Sequence, residues 1–178
     1  MITLYRGSRG RGKTLTLVKD SLNFYQRGYR ILTNLTSLKF GEKVTAEFIL
    51  SLSRDSNLCD CVLVIDEIEY FFDCRDWNRK GKKEILQQFS HFLQEIRKKN
   101  VHILCTCQYI SLIDIRIRQQ IDIVAYPHFI KNLTICKVYY FDITKLEDDY
   151  SNDNLSPTFL IYDPKPVFKL YDTLEMIK

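Results

Sequence analysis

A chain of 178 residues, 46% hydrophobic and 27% charged, fits one domain around one core and excludes a disordered or fibrous composition. Its formal net charge of +4 leans only slightly toward polyanionic partners and is far below that of histone-like proteins or basic nucleic-acid arms. It shows neither an N-terminal apolar leader nor a run near the roughly 18 apolar residues of a spanning helix. A soluble, cytoplasmic protein is therefore expected, in which the sequons at Asn34 and Asn132 carry no meaning.

In chain order, residues 1–6 (MITLYR) read as a short strand running into a glycine-rich turn at 7–12. Leu15, Leu17, Val18, Leu22 and Phe24 then recur at helical spacing. GYRILT at 28–33 reads as a second strand, and a short helix is expected from Thr45 with Phe48, Ile49 and Leu52 on it. CVLVI at 61–65 is a continuous apolar run ending in acids, the pattern of a strand buried on both faces. Residues 71–82 are charged and irregular. A helix over 83–99 follows, with Ile85, Leu86, Phe89, Phe92, Leu93 and Ile96 on one stripe and Asn100 as its stop. VHILCTC at 101–107 is another buried strand, closed by Gln108. A loop with a short helix over 109–120 leads to the strand IDIVAY, and 132–143 alternates like an exposed or edge strand. An acidic loop over 145–157 precedes a tail of extended pieces broken by Pro164 and Pro166.

Strands alternating with helices predict an α/β fold with a mostly parallel central sheet flanked by helices. With GSRGRGKT at 7–14 between the first strand and the first helix, the reading is one P-loop domain over 1–178, of the ASCE/RecA-like kind, with a β-rich C-terminal extension over 131–178.

The strongest chemical signal is GSRGRGKT, residues 7–14, a full match to G-x-x-x-x-G-K-[ST] between a strand and a helix. Gly7, Gly10 and Gly12 let the backbone curl so that successive N–H groups, including those of Ser8, Arg9 and Arg11, converge on a phosphate. Lys13 is placed to reach the outer phosphates of ATP, and Thr14 to offer a hydroxyl to Mg²⁺. The second signal is VLVIDE at 62–67: the strand delivers Asp66 to the Mg²⁺ and Glu67 to the water that attacks. The third is Gln108, at the end of a strand expected between these two, facing the γ-phosphate. Arg116 and Arg118, and after the Asp66 strand Arg75 and Arg79, are candidates for an arginine supplied to a neighbour's nucleotide, with Arg118 first and Arg116 second. If 115–118 is extended both arginines share a side; if helical they diverge. The basic stretches 79–83 and 97–99, with Phe72 and Trp77 near the first, offer contacts to a phosphate backbone or are solvated helix ends.

Six cysteines, at 59, 61, 74, 105, 107 and 136, contain no CxxC pair. They read as small buried apolar residues, with structural disulfides as the other reading.

Together the phosphate loop near the N-terminus, TN at 33–34, VIDEIEYFFDCR and the segment IRKKNVHILCTCQYISLIDIRIR resemble the FtsK/HerA superfamily of P-loop ATPases. Within it, the Zot-like proteins of filamentous phages and the genome-packaging ATPases of membrane-containing viruses are most similar. The resemblance covers about residues 1–130 well and the tail loosely, through KPVFKLYDT. It implies ATP hydrolysis between subunits of a ring, commonly of six, acting on DNA or in virion assembly with capsid or membrane-protein partners. Zot-like phage proteins usually continue into a membrane-spanning segment; its absence before Lys178 leans the expectation toward a soluble packaging ATPase, cytoplasmic or virion-associated. A small P-loop kinase and a non-hydrolysing nucleotide-bound scaffold are the competing readings.

Overall fold

The computed structural model describes residues 1–75, 81–145 and 156–172. Arg79, Trp77 and the end of the KPVFKLYDT segment lie outside the described residues.

Eight strands form one sheet, with helices on both faces. In chain order they are β1 (Ile2–Arg6), β2 (Arg30–Thr33), β3 (Glu42–Lys43), β4 (Cys61–Ile65), β5 (Val101–Cys107), β6 (Ile123–Ile130), β7 (Ile135–Asp142) and β8 (Thr158–Tyr162). The helices are α1 (Lys13–Gln26), α2 (Ala46–Leu50), α3 (Lys82–Glu95), α4 (Ile115–Arg118) and α5 (Lys165–Phe168). The spatial order is β3-β2-β4-β5-β1-β6-β7-β8. From β3 to β6 every pairing is parallel, and β6-β7-β8 is antiparallel. β5 lies between β1 and β4, as the sequence led us to expect of the strand ending at Gln108.

All five residues of β4 are buried, because apolar layers cover both its faces. One layer sets α3 and the segment after β4 against the sheet. Phe89 stacks on Phe72 with ring centroids 4.1 Å apart, and both are buried with Leu63, Ile65 and Ile103. The other layer packs α1 and α5 against Tyr5, Val62, Val64 and Val138. There Asp20 of α1 accepts hydrogen bonds from Tyr5 at 2.7 Å and Tyr140 at 2.9 Å, tying the helix to β1 and β7.

Several local features follow from residue chemistry. Thr45 caps α2, its hydroxyl accepting from the Phe48 amide. α3 ends earlier than expected, at Glu95. Asn100 then takes a left-handed conformation, φ 50°, and the Val101 amide reaches back to the Ile96 carbonyl at 2.9 Å, a turn that asparagine tolerates better than most residues. Pro127 sits where β6 has run past the end of β1 pairing at Ala125, so its missing N–H costs no bond on that side.

Three expectations are corrected. Of the two readings of 132–143, exposed or edge, the edge is corrected: β7 starts at Ile135 and lies between β6 and β8, and its half-buried alternation reflects one open face. The proline-rich tail is not all extended. Pro164 and Pro166 open α5, where a preset φ and a missing N–H suit a first turn. The disulfide alternative is not met: all six cysteines are free thiols, four of them buried, and burial pushes the Cys107 thiol to about 12.

Phe89→Ala should cost roughly 3–5 kcal/mol of stability, because it empties the stack under β4 and β5. Urea unfolding checks this; a loss below about 1 kcal/mol would mean that the stack with Phe72 contributes little.

Candidate nucleotide site

The carboxyl ends of β1, β4 and β5 meet at one edge of the sheet, and the sequence motifs fall there. β1 stops at Arg6 and the chain turns through 7–12 into α1. Gly12 stands before the first helical residue with φ 90°. A Cβ there would lie 3.3 Å from both the Cys136 sulfur and the Phe129 Cβ, so glycine is needed for conformation and for space. No side chain caps α1 and its first turn carries no acid, which leaves its amides and dipole available to an anion. Lys13 Nζ donates to the Ser8 carbonyl at 3.3 Å across the loop. Ser8, Arg9, Gly10 and Arg11 are exposed at the rim, and Arg11 Nη1 donates to His128 Nδ1 at 3.4 Å.

Asp66, directly after β4, is the buried centre of this edge. Its carboxylate accepts from Thr14 Oγ1 at 3.1 and 3.2 Å and from Thr106 Oγ1 at 2.7 Å. Its backbone pairs with the Asn34 side chain in both directions, at 2.8 and 3.0 Å. Burial holds the Asp66 carboxyl above the ordinary carboxylate range, while the Thr106 and Thr14 hydroxyls pull it part of the way back. A hydroxyl and a carboxylate at one point, short of positive charge, fit a hard divalent cation such as Mg²⁺. Among the described residues no cluster of three or more His, Cys, Asp or Glu side chains is placed to hold a metal.

Glu67 follows in a left-handed conformation, φ 53° and ψ 60°, its amide donating to Thr106 Oγ1 at 2.8 Å. Such a backbone is uncommon for a residue with a side chain and turns the chain sharply at the end of β4. Gln108 ends β5 half-buried, and its amide donates to Glu69 Oε1 at 2.9 Å. The other Glu69 oxygen is buried with no partner among the described residues, and burial raises its pKa, with Glu67 adding to the rise and Lys13 opposing it.

Asn34 entered the sequence reading only through a resemblance, and Thr106 and Glu69 did not enter it at all. A polar residue at the second-last position of a buried strand, and an acid two residues after Glu67, were the available signals.

The arginine candidates separate. Residues 115–118 are helical, so Arg116 and Arg118 diverge. Arg116 is bound to Asp114 through contacts of 2.7 and 2.9 Å, and Arg75 to Asp73. Arg118 lines a cleft with Arg6, and its Nε is buried without a partner among the described residues.

A phosphate loop after β1, an acid-tipped β4 and one strand between them define a P-loop NTPase fold of the inserted-strand class. The profile of the zonular occludens toxin (Zot) family matches residues 1–175, and the chain belongs to that family. The Gene 1 proteins of Enterobacteria phages f1 and fd are each 27% identical over 203 aligned positions, which span 94% of this chain and 57% of theirs. The chain thus matches little more than half the length of these relatives. The N-terminal domain of zonular occludens toxin from Neisseria meningitidis has the same fold, with TM-score 0.67 and 19% identity over 96% of this chain and 98% of that one. A genome packaging NTPase of Sulfolobus turreted icosahedral virus 2, in complex with ATP-gammaS, follows with TM-score 0.53 and 13% identity over 92% of this chain and 97% of that one. No helix among the described residues is long and apolar enough to cross a membrane.

The raised Asp66 pKa sets a pH test. As pH rises, the unfolded chain releases this proton first, near about 4. Stability therefore falls from there up to the higher native pKa and stays lower above it. Asp66→Asn removes that cost while its amide oxygen still accepts from a threonine. Without nucleotide or Mg²⁺, the variant should melt above the parent at about pH 7 and lose that advantage below about pH 4. Its Mg²⁺-dependent nucleotide binding should weaken. A melting temperature at or below the parent's at neutral pH contradicts this account.

Proposed function

We propose that the chain is an Mg-ATP-hydrolysing motor that moves or packages a viral or plasmid DNA genome, or drives virion assembly. The observation that supports this most is the meeting of Lys13, Thr14, Asp66 and the end of β5 at one sheet edge, beside an uncapped helix end. The names of the similar proteins, a phage gene product and a packaging NTPase, lend further support.

In this reading the amides of the 7–14 loop and Lys13 bind the phosphates, and Thr14 and Asp66 hold Mg²⁺. The cation, when bound, offsets phosphate charge and orients the outer phosphate. Glu67 takes a proton from the attacking water, and Gln108 orients that water or senses the phosphate. Fixed groups suit this chemistry, because phosphoryl transfer depends mainly on positioning and charge. Arg118 is the residue offered to a neighbouring subunit's nucleotide, since Arg116 is held by Asp114. This requires a homo-oligomer, a ring of six by the family's habit, and host-cytoplasmic or virion-associated work with capsid or membrane-protein partners. The buried Glu69 oxygen, without a partner among the described residues, supports one second reading, in which Glu69 is the base.

Phosphate release from Mg-ATP, with and without DNA, tests the proposal. The parent should hydrolyse ATP faster with DNA and at higher protein concentration, and Lys13→Ala should not hydrolyse. Nucleotide binding without turnover under all conditions favours the scaffold reading.

Glu67→Gln should keep nucleotide binding and slow hydrolysis roughly 10²-fold or more. Glu69→Gln keeps an oxygen for the Gln108 amide and should slow it less than about tenfold. The reverse ranking transfers the base to Glu69.

Mixing Arg118→Ala with Lys13→Ala subunits, each inactive alone, should restore part of the activity. No recovery after proven co-assembly removes Arg118 from the role.

A further inference from the structure

Among the described residues, β6, β7 and β8 share one covered side; the other side of β6 is partly covered too, where Val124 and Tyr126 pack into the main core, and that of β7 and β8 lies open. Their Ala125, Val138 and Tyr162 side pack against α1 and α5. The opposite side has no helix of the described residues over β7 and β8, and a cleft of about 1380 Å³ opens beside it between α3, α4 and β6.

The register arranges this open face in two rows. Tyr126 of β6 pairs with Tyr139 of β7, and Tyr139 with Phe159 of β8. Arg6 extends the row at the β1 end, donating to the Tyr126 hydroxyl at 3.4 Å and lying 5.9 Å from its ring centroid. The next row pairs His128 with Lys137, and Arg11 of the phosphate loop reaches His128. Lys137 Nζ lies 4.7 Å from the Tyr139 ring centroid and 5.2 Å from that of Phe159. Phe159 is 64% exposed although Lys137 and Tyr139 lie beside its ring, a high value for so large an apolar side chain. None of the side chains on this face of the three strands is acidic.

An aromatic row beside a cationic row has a specific complement: a polymer with flat apolar faces and a regular line of negative charge. Neighbouring strands are about 4.8 Å apart, so three rings on three strands span about the reach of two or three stacked bases. A duplex hides its base faces, and unpaired bases offer them. A second copy of the chain meeting this patch across a two-fold axis would set cations against cations.

We propose that the open face of β6-β7-β8 binds single-stranded nucleic acid, with bases stacked on Tyr126, Tyr139 and Phe159 and phosphates along Arg11, His128 and Lys137. The inference rests on the motor reading above, and it names that motor's polymer as single-stranded where it is gripped. It also sets the grip next to the ATP loop. The Phe129 amide on β6 donates to the Arg11 carbonyl at 3.0 Å, so one short segment touches both ligands.

The test is fluorescence anisotropy of a labelled oligothymidine of about 20 nucleotides, against a duplex of equal length at the same salt. A fluorescent ATP analogue is titrated in parallel. The parent should prefer the single strand. Phe159→Ser and Lys137→Gln should each weaken it by roughly tenfold, with analogue binding unchanged. Tyr139→Phe, which keeps a ring, should bind like the parent. Lys137→Gln should also reduce the slope of log affinity against log salt by about 0.7. Phe159→Ser is an exposed change that leaves the fold intact, so parent-like oligothymidine binding by it overturns the platform. Preference for the duplex also overturns it, as does a Phe159→Ser effect on self-association alone, which would make the face a subunit contact. If the parent turns over ATP and binds DNA while these variants change nothing, only the platform fails. If the parent binds no nucleic acid, the DNA motor reading fails with it.

Discussion

A buried aspartate, its carboxylate held by two threonine hydroxyls and its backbone by an asparagine side chain, organises one edge of this protein. Asp66 sits where water is excluded, and an isolated charge there is costly. Thr14 approaches it from α1, Thr106 from β5 and Asn34 from the end of β2. Each partner is a short polar residue at the end of an element that faces this edge: Thr14 in the first turn of α1, Thr106 next to last in β5 and Asn34 just after β2. The strand order follows in part from this: β2 and β5 flank β4 and present those groups to its end. The arrangement leaves the carboxylate under-compensated in charge, which is a state suited to accepting a cation. Stability would thus be given up at the point where the proposed cation gains, a common trade at functional sites.

The second consequence is geometric. A strand buried on both faces has no lateral freedom, so the residue after it must turn at once. Glu67 does so in a left-handed conformation, held by Thr106 through its amide. Thr106 therefore serves two neighbours with one hydroxyl: it donates to Asp66 and accepts from Glu67. Replacing it with valine would fill a similar volume, leave the Glu67 amide without this acceptor and take one of the two hydroxyls from Asp66. The same short segment then supplies Glu69 to the Gln108 amide, so β4 and β5 are joined beyond their ladder.

What was legible in the chain is what depends on near neighbours in sequence. The phosphate loop, the apolar run into Asp66 and the stripe of α3 each lie within a few turns of chain, where glycine freedom and hydrophobic period act directly. The position of β5 between β1 and β4 was legible only because Gln108 matched a known pattern. The role of Thr106 was not, since a threonine in a buried strand looks the same whether it faces a valine or an aspartate 40 residues away. β7 misled for a related reason. Alternation reports that one face is open, and it carries no information on whether a further strand pairs with the edge. α5 was hidden by prolines, which break a helix inside it and favour it at its start.

The antiparallel extension is bound to the phosphate loop at several depths, and this bears on how a motor of this build would transmit force. Gly12 packs on Phe129 and Cys136, the Arg11 carbonyl accepts from the Phe129 amide, and Thr16 in the first turns of α1 lies 3.1 Å from the Tyr162 hydroxyl on β8. Deeper along α1, Asp20 takes hydrogen bonds from Tyr5 and Tyr140. Packed contacts of this kind transmit displacement because interiors have little free volume to absorb it. A loop that changes shape with its phosphates would therefore shift β6 first and α1 less, since the helix is held along its length. The side of the extension away from α1 is held more lightly, by Arg6 at the Tyr126 hydroxyl and Arg11 at His128, with no helix of the described residues over β7 and β8. It is also the part that presents exposed aromatic and basic side chains next to the loop, so the proposed polymer-binding surface lies on the same strands that a nucleotide-driven shift would move first.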